Sequence, residues 1–338
     1  MDTERFDNFT NFSEDFDSLE AATLENGKDL LSFGIPFLDD SLRGIAKTDL
    51  ILLGAGSGAG KSEAAFHIAF HNAKAGKKVL LFALEAEKKE VELRQLYKFL
   101  AKEYFADHQR ERGTLNYPDF YYGKCWHLVS KYKEKAREQF GLIKNLYIRY
   151  SQGGYTMDQF AIDVSSAKDT NLIVLDHLHY LELGDEVENK AFKKAVQKIR
   201  DTVLHHKIPV ILVSQLRKES SNFRNTSAMP DLSDFHGSSD IFKVATKGIM
   251  LASGDKVIQG NGDERLRPTL IKAVKNRLDG SVKVYTGAMN YDFRTNSYAE
   301  NYTVGKLVWG KDEETKQQVE KFVQEPVYWA GRAKNAAI

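Results

Sequence analysis

The segment from Leu50 to Ser62, with the sequence LILLGAGSGAGKS, constrains the fold of this chain more than any other. Four apolar residues run directly into a glycine-rich turn that ends in Lys61 and Ser62, and a helical pattern follows until Gly76. Strand, glycine loop and helix in this order are the setting of a phosphate-binding P-loop. Glycines let backbone N–H groups point at an anion, and the helix N-terminus adds its positive end. The segment therefore predicts a site for a nucleoside triphosphate.

The chemistry expected of this loop follows from its last residues. Lys61 is expected to reach the β- and γ-phosphates of ATP, and the Ser62 hydroxyl is expected to ligate Mg²⁺. The strict P-loop pattern begins with glycine, whereas this chain has alanine at that position. ATP and Mg²⁺ are the predicted cofactors, and the predicted nucleotide site comprises Ala55, Gly56, Ser57, Gly58, Ala59, Gly60, Lys61 and Ser62.

Composition excludes several classes of protein. No apolar run approaches the length of a membrane span, and the acidic start of the chain lacks the apolar core of a secretory signal. Cys125 is the only cysteine among 338 residues, so an internal disulfide is impossible and a reducing compartment is favoured. We expect a cytoplasmic protein of a bacterial or phage-infected cell, with no membrane partner.

Charge divides the chain unevenly. Residues 1–30 carry nine acidic residues and two basic ones, together with four phenylalanines that would share one face of a helix. We expect this acidic arm to be either a disordered tail or a linker that docks on a neighbouring subunit. Residues 31–300 are expected to form the main domain, and residues 301–338 a tail without a readable pattern.

Apolar strands alternate with helical patterns through the middle of the chain, and short strands separated by turns follow. One amphipathic pattern predicts a helix from about Glu188 to His206. These patterns predict an α/β fold with a mostly parallel, helix-flanked sheet extended by antiparallel C-terminal strands. The predicted strands are Val79–Leu84, Leu146–Tyr150, Leu172–Leu175, Pro209–Val213, Gly248–Ala252, Thr269–Val274 and Val282–Gly287.

Polar residues end three of the buried strands, where ligands of such sheets bind. Asp176 has the position of a Walker B carboxylate and is expected to hold Mg²⁺ directly or through water. Glu85 is the first candidate for the base that orients and deprotonates the attacking water, and Glu87 is the competing candidate. Gln215 is expected to sense the γ-phosphate by hydrogen bonding.

Two cations, Lys275 and Arg277, stand at the end of a later strand, before the turn at Asp279. An arginine supplied by a neighbouring subunit can stabilise the transition state of phosphoryl transfer. The alternative is an exposed basic turn.

Taken together and in order, these segments resemble the motor domain of DnaB-type replicative helicases, which are RecA-like ATPases. The resemblance runs from about Gly34 to about Tyr298, and the short chain is similar to stand-alone phage- or plasmid-type forms. It depends on the ordered motifs GAGSGAGKS, LFALEAE, LIVLDHLHYL, ILVSQL, SDFHGSSDI and KNRLDG.

The resemblance implies an ATP-hydrolysing DNA helicase of DNA replication that moves 5′ to 3′ on single-stranded DNA. It implies a homo-oligomer, commonly a hexameric ring, with ATP at each interface, and a primase or loader in trans. Lys275 and Arg277 would then enter the neighbouring subunit's site, and Gln215 would couple the γ-phosphate to the DNA loops. The implied DNA contacts are Arg217, Lys218, Arg224, His236 and Gly237.

Three departures from the family pattern affect the DNA loops and their coupling to hydrolysis. His236 stands in place of arginine, residues 242–244 replace an acidic and amide-rich stretch, and His177 replaces tyrosine. Two alternatives therefore stay open beside the helicase. One is a RecA- or RadA-like recombination ATPase, and the other is a non-enzymatic, ATP-gated primosome or assembly scaffold.

Overall fold

The computed structural model describes residues 16–25, 27–56, 58–108, 115–150, 153–182, 188–216, 229–230, 234, 242–253, 266–279, 285–311 and 318–325. Its strands are β1 (Leu50–Ala55), β2 (Val79–Ala83), β3 (Leu146–Tyr150), β4 (Leu172–Asp176), β5 (Val210–Gln215), β6 (Lys247–Ser253), β7 (Leu266–Asn276), β8 (Thr286–Asp292), β9 (Ser297–Lys311) and β10 (Gln318–Gln324). Its helices are α1 (Phe16–Glu25), α2 (Pro36–Leu42), α3 (Lys61–Lys74), α4 (Lys88–Asp107), α5 (Tyr117–Tyr121), α6 (Trp126–Val129), α7 (Lys133–Gly141), α8 (Met157–Ser166) and α9 (Glu188–His206).

The described strands form one sheet in the order β10-β9-β8-β7-β6-β1-β5-β4-β2-β3. Every pairing from β6 to β3 is parallel, whereas every pairing from β6 to β10 is antiparallel. The α/β fold, with its parallel sheet and antiparallel C-terminal extension, is therefore confirmed.

Strand β1 shows how the sheet is buried on both faces. Its side chains alternate, because successive residues of a strand point to opposite faces. Ile51 and Leu53 belong to the apolar cluster that includes α2 and α3, and Leu50 and Leu52 belong to the cluster that includes α8 and α9. All four residues are buried. A continuous apolar run therefore suits this central strand, which helices cover on both sides.

Two further elements bear on the expected domains. Helix α9 has the bounds that its amphipathic pattern predicts, which confirms that element. Strand β9 pairs with β8 and β10 and crosses residue 300, where the tail was expected to begin. Its mixture of charged, apolar and glycine residues hides this pairing from a search for alternation. The division into arm, main domain and tail stays a prediction.

The described part of the acidic arm is α1, and its Phe16 is 73% exposed. The other three phenylalanines of the arm lie outside the described residues. None of the helices in the described part of the chain has both the length and the apolar character needed to cross a bilayer.

Candidate active site

Four neighbouring strands, β1, β5, β4 and β2, bring the predicted residues to one edge of the sheet. Ala55 at the end of β1 lies opposite Gln215 at the end of β5. Asp176 at the end of β4 lies opposite Ala83, two residues before Glu85. Because all four strands run parallel, their carboxyl ends meet beside the glycine loop. Residues far apart in the chain therefore converge on one site.

The loop has the backbone conformation that its glycines allow. Gly58 and Gly60 have φ angles of 73° and 90°, in the left-handed region that favours glycine. Gly60 is the N-cap of α3, so the first N–H groups of this helix face the end of the loop. Ala55 is still within the regular strand β1, and alanine suits a strand position. Ser57 lies outside the described residues.

Asp176 is a carboxylate under strong desolvation. Its side chain is buried, and burial raises its pKa to about 6, although a hydrogen bond from Ser62 and the charge of Lys61 both oppose this rise. The nearby Glu85 raises the pKa further. Among the described residues, Asp176 Oδ1 has no hydrogen-bond partner. A hydroxyl and a buried carboxylate with an available oxygen are hard ligands, so the residues present fit Mg²⁺.

Glu85 is held by a residue whose part the sequence analysis did not anticipate. His177 is buried, and its Nε2 lies 3.3 Å from Glu85 Oε2. The His177 ring also packs edge-on against Tyr180, with 4.8 Å between ring centroids. His177 directly follows Asp176, and this adjacency was the available signal. The contact itself depends on the turn after β4, which no local pattern reveals.

A cavity of about 400 Å³ lies against the loop, and its wall includes Lys61, Ser62, Glu85 and Asp176. Glu87, the competing candidate base, is the N-cap residue of α4 and is not part of the cavity wall. The geometry therefore favours Glu85, although the catalytic role stays a prediction.

Helix α4 supplies cavity residues that the sequence analysis missed. Arg94 lines the cavity and its Nη2 donates to Glu90 Oε1 at 2.9 Å. Gln95 also lines the cavity and is buried, and its Oε1 has no partner among the described residues. A polar helix face gave no sign of this role, because it reads as solvated surface until the helix is placed over the loop.

Gln215 is half-buried beside the start of the loop, and the next residue, Leu216, donates its N–H to Ala55 O at 3.3 Å. The segment that was expected to grip DNA begins just beyond this point. All five expected DNA contacts, Arg217, Lys218, Arg224, His236 and Gly237, lie outside the described residues.

Lys275 and Arg277 lie at the opposite edge of the sheet from the loop. Strand β7 runs antiparallel to β6, so its first residues are near the loop and its last residues are far from it. The ten residues from Arg267 to Arg277 span roughly 30 Å at the rise of a strand. Within one chain, the structure therefore separates these two cations from the loop.

At that far edge, both cations contact the helical turn at residues 242–244. Lys275 Nζ donates to Phe242 O at 2.6 Å and lies 4.4 Å from the centroid of the Phe242 ring. Arg277 Nη2 donates to Lys243 O at 3.2 Å. This turn directly follows the segment that carries the expected DNA contacts.

Comparison with known proteins adds to this geometry. A family model for the DnaB-like helicase C terminal domain matches residues 31–296. The fold is similar to a solved ATPase domain of a DnaB-like helicase, with a TM-score of 0.64 and 17% identity over 84% of this chain and 95% of that chain. It is similar to a second DnaB-like replicative helicase, described with its interactions with primase, with a TM-score of 0.64 and 16% identity over 86% of this chain and 67% of that chain. No curated protein sequence gives a significant match.

Proposed function

Because the chain belongs to the family of DnaB-like helicase C-terminal domains, and is thus an ATP-hydrolysing DnaB-type replicative helicase, we propose that its copies assemble into a ring that moves along single-stranded DNA. By the family pattern we infer six copies and 5′-to-3′ movement, with a primase or loader acting in trans. Family membership supports this function over the recombination ATPase and the scaffold.

The separation of the loop from Lys275 and Arg277 is the observation that carries the ring proposal. The two sets of residues lie on opposite edges of one rigid sheet, roughly 30 Å apart along β7. A cation that stabilises the transferring phosphate must lie within contact distance of it. One chain cannot meet this requirement, whereas a head-to-tail pair of chains can. Head-to-tail contacts generate rings when the rotation closes.

The proposed chemistry assigns a task to each residue at the loop edge. Lys61 and the N-terminus of α3 bind the phosphates, and Ser62 and Asp176 hold Mg²⁺, which neutralises charge on the β- and γ-phosphates. Glu85 orients the attacking water and accepts its proton, and the buried His177 fixes the position of the Glu85 carboxylate. Charge stabilisation is completed by Arg277 of the next copy, since such arginines contribute about 10³–10⁵ in rate.

Coupling to DNA is proposed through Gln215. It ends β5 beside the loop, and the basic residues Arg217 and Lys218 follow within three positions. A hydrogen bond between Gln215 and the γ-phosphate would therefore act on the start of the DNA segment. Arg224, His236 and the Gly237 backbone complete the proposed contacts. Gripping by cations and backbone N–H groups is independent of DNA sequence.

The test is ATP hydrolysis by the purified chain with and without single-stranded DNA, together with its mass in solution with MgATP. We expect stimulation by DNA and a mass that corresponds to a ring. Lys61→Ala should lower turnover by roughly 10²-fold or more, because it removes a cation from the phosphates. Arg137→Ala is a matched control, since Arg137 is exposed and pairs only with Glu134 among the described residues. Unstimulated turnover by a monomer would contradict the proposal.

A further inference from the structure

Two side chains from the antiparallel half of the sheet hold the glycine loop from outside. Arg267 of β7 donates from Nη1 to Gly58 O at 2.8 Å. Tyr298 of β9 donates from its hydroxyl to Gly60 O at 3.1 Å. Both contacts join residues more than 200 positions apart, and neither β7 nor β9 is a neighbour of β1 in the sheet. The loop is therefore anchored by elements outside the parallel core.

The two donors are themselves fixed by aromatic packing. The Arg267 guanidinium lies 5.3 Å from the centroid of the Tyr291 ring and 5.4 Å from that of Phe293. Tyr298 is buried, and its ring packs edge-on against Tyr291 at 5.3 Å. Tyr291 thus contacts both donors and orders them together. Rotamers locked in this way lose little further freedom when they hold the loop.

The approach of Tyr298 to Gly60 is so close that it requires glycine. A Cβ atom at residue 60 would lie only 2.4 Å from the Tyr298 hydroxyl oxygen. The positive φ of Gly60 is a second, independent reason for glycine here. The hydroxyl therefore rests directly against the peptide unit that joins Gly60 to Lys61.

The direction of these bonds has a consequence for anion binding. A peptide unit is planar and trans, so its C=O and N–H point in opposite directions. Tyr298 holds the Gly60 carbonyl on the outside of the loop, which turns the Lys61 N–H of the same unit toward the inside. Arg267 likewise holds the carbonyl of Gly58 outward. Carbonyl oxygens kept outside cannot repel phosphate oxygens, so both bonds favour the conformation that receives an anion.

We propose that Arg267 and Tyr298 are positioning residues that hold the loop in its phosphate-binding conformation before the nucleotide arrives. The proposal rests on the phosphate site described under Proposed function and assigns these residues a role there without contact with the base of the nucleotide. Preorganisation of this kind raises affinity, because the cost of ordering the loop is met during folding.

The test measures the affinity of the full chain for two probes, MgATP and magnesium tripolyphosphate, the second of which has phosphates and no base. Tyr298→Phe removes only the hydroxyl and keeps the ring, and Arg267→Met removes the donor and keeps an apolar stem. Each variant should weaken both probes by the same factor, about 3–10-fold, as expected for one hydrogen bond. Tyr302→Phe is the control, since it removes a hydroxyl from the same strand.

A second measurement separates positioning from a general structural role. In ATP hydrolysis, each variant should raise KM by about 3–10-fold and leave kcat within about twofold. Lower kcat at unchanged KM would indicate damaged protein and would overturn the proposal. Weaker MgATP with unchanged tripolyphosphate would also overturn it, because the residues would then contact the base. A wild-type chain that binds neither probe would overturn the phosphate site itself.

Discussion

Asp176 is the residue at which folding and function conflict most directly. Its carboxyl is buried, and its pKa is raised to about 6 mainly because the charged form is poorly solvated. Keeping it ionised near pH 7 costs about 3 kcal/mol relative to the unfolded chain. A Mg²⁺ ion held by Asp176 and Ser62 would supply the missing positive charge. The unfavourable burial is therefore the condition under which this site attracts a cation.

Replacing this carboxylate should stabilise the chain while abolishing its activity. In the absence of Mg²⁺, Asp176→Asn should raise the free energy of unfolding by about 2–3 kcal/mol near pH 7. The sign follows from the raised pKa. Stability that the protonated Asp176 contributes is present below its unfolded pKa and is lost as pH rises through about 6. The advantage of the variant should therefore vanish below about pH 4. Urea unfolding in a chelator at both pH values measures it.

The matched control is Asp158→Asn, because Asp158 is exposed and pairs with Lys198. This variant should show no such gain near pH 7. An Asp176→Asn chain that is no more stable near pH 7 than the wild type would contradict the account of Asp176. Magnesium-dependent ATP hydrolysis should be lost only in the Asp176 variant.

Residues that carry a local signal were predictable, and those defined by a tertiary contact were not. Lys61, Ser62 and Asp176 follow apolar strands within the chain itself, so their place at the sheet edge could be predicted. His177, Gln95 and Tyr298 act through neighbours that the sequence does not place beside them. For Gln95 and Tyr298, helix α4 and strand β9 must first be positioned over the loop.

At the scale of elements, β7 determines which residues can share a site. It begins with Arg267 against the loop of its own chain and ends near Arg277 at the far edge. One strand thus carries a cation to each edge of the sheet. Existence of the strand was predictable from its apolar run, as was that of α9 from its amphipathic pattern. Its direction relative to β1 was not, because antiparallel and parallel neighbours have similar composition at a buried position.

This division predicts that two inactive variants restore each other. Arg277→Ala should keep ATP binding and lose hydrolysis, and Glu85→Gln should also be inactive. In an equal mixture, about a quarter of head-to-tail interfaces join an intact Glu85 to an intact Arg277. ATP hydrolysis should therefore recover to about a quarter of the wild-type rate after the subunits exchange.

Each variant incubated alone through the same exchange procedure is the control and should stay inactive. Recovery in neither the equal mixture nor any other ratio, with exchange verified by mass, would show that Arg277 does not act across an interface. Full activity of Arg277→Ala alone would show that the residue has no catalytic part.

For the whole molecule, each interface is one site. An open row of copies has one complete site fewer than it has copies, whereas a closed ring has as many sites as copies. Activity per copy should therefore rise with protein concentration over about three decades and level off when rings are complete. Measuring hydrolysis and mass on the same dilution series tests this. A constant rate per copy while the mass falls to that of one chain would contradict it.

The two edges of the sheet also have a genetic consequence. A copy with a damaged loop edge silences one site in a mixed ring, and a copy with a damaged Arg277 edge silences the site of its neighbour. A copy damaged at both edges silences two sites, although only one chain is defective. Alleles of this protein that still assemble should therefore be dominant over the wild type, and alleles that fail to assemble should be recessive.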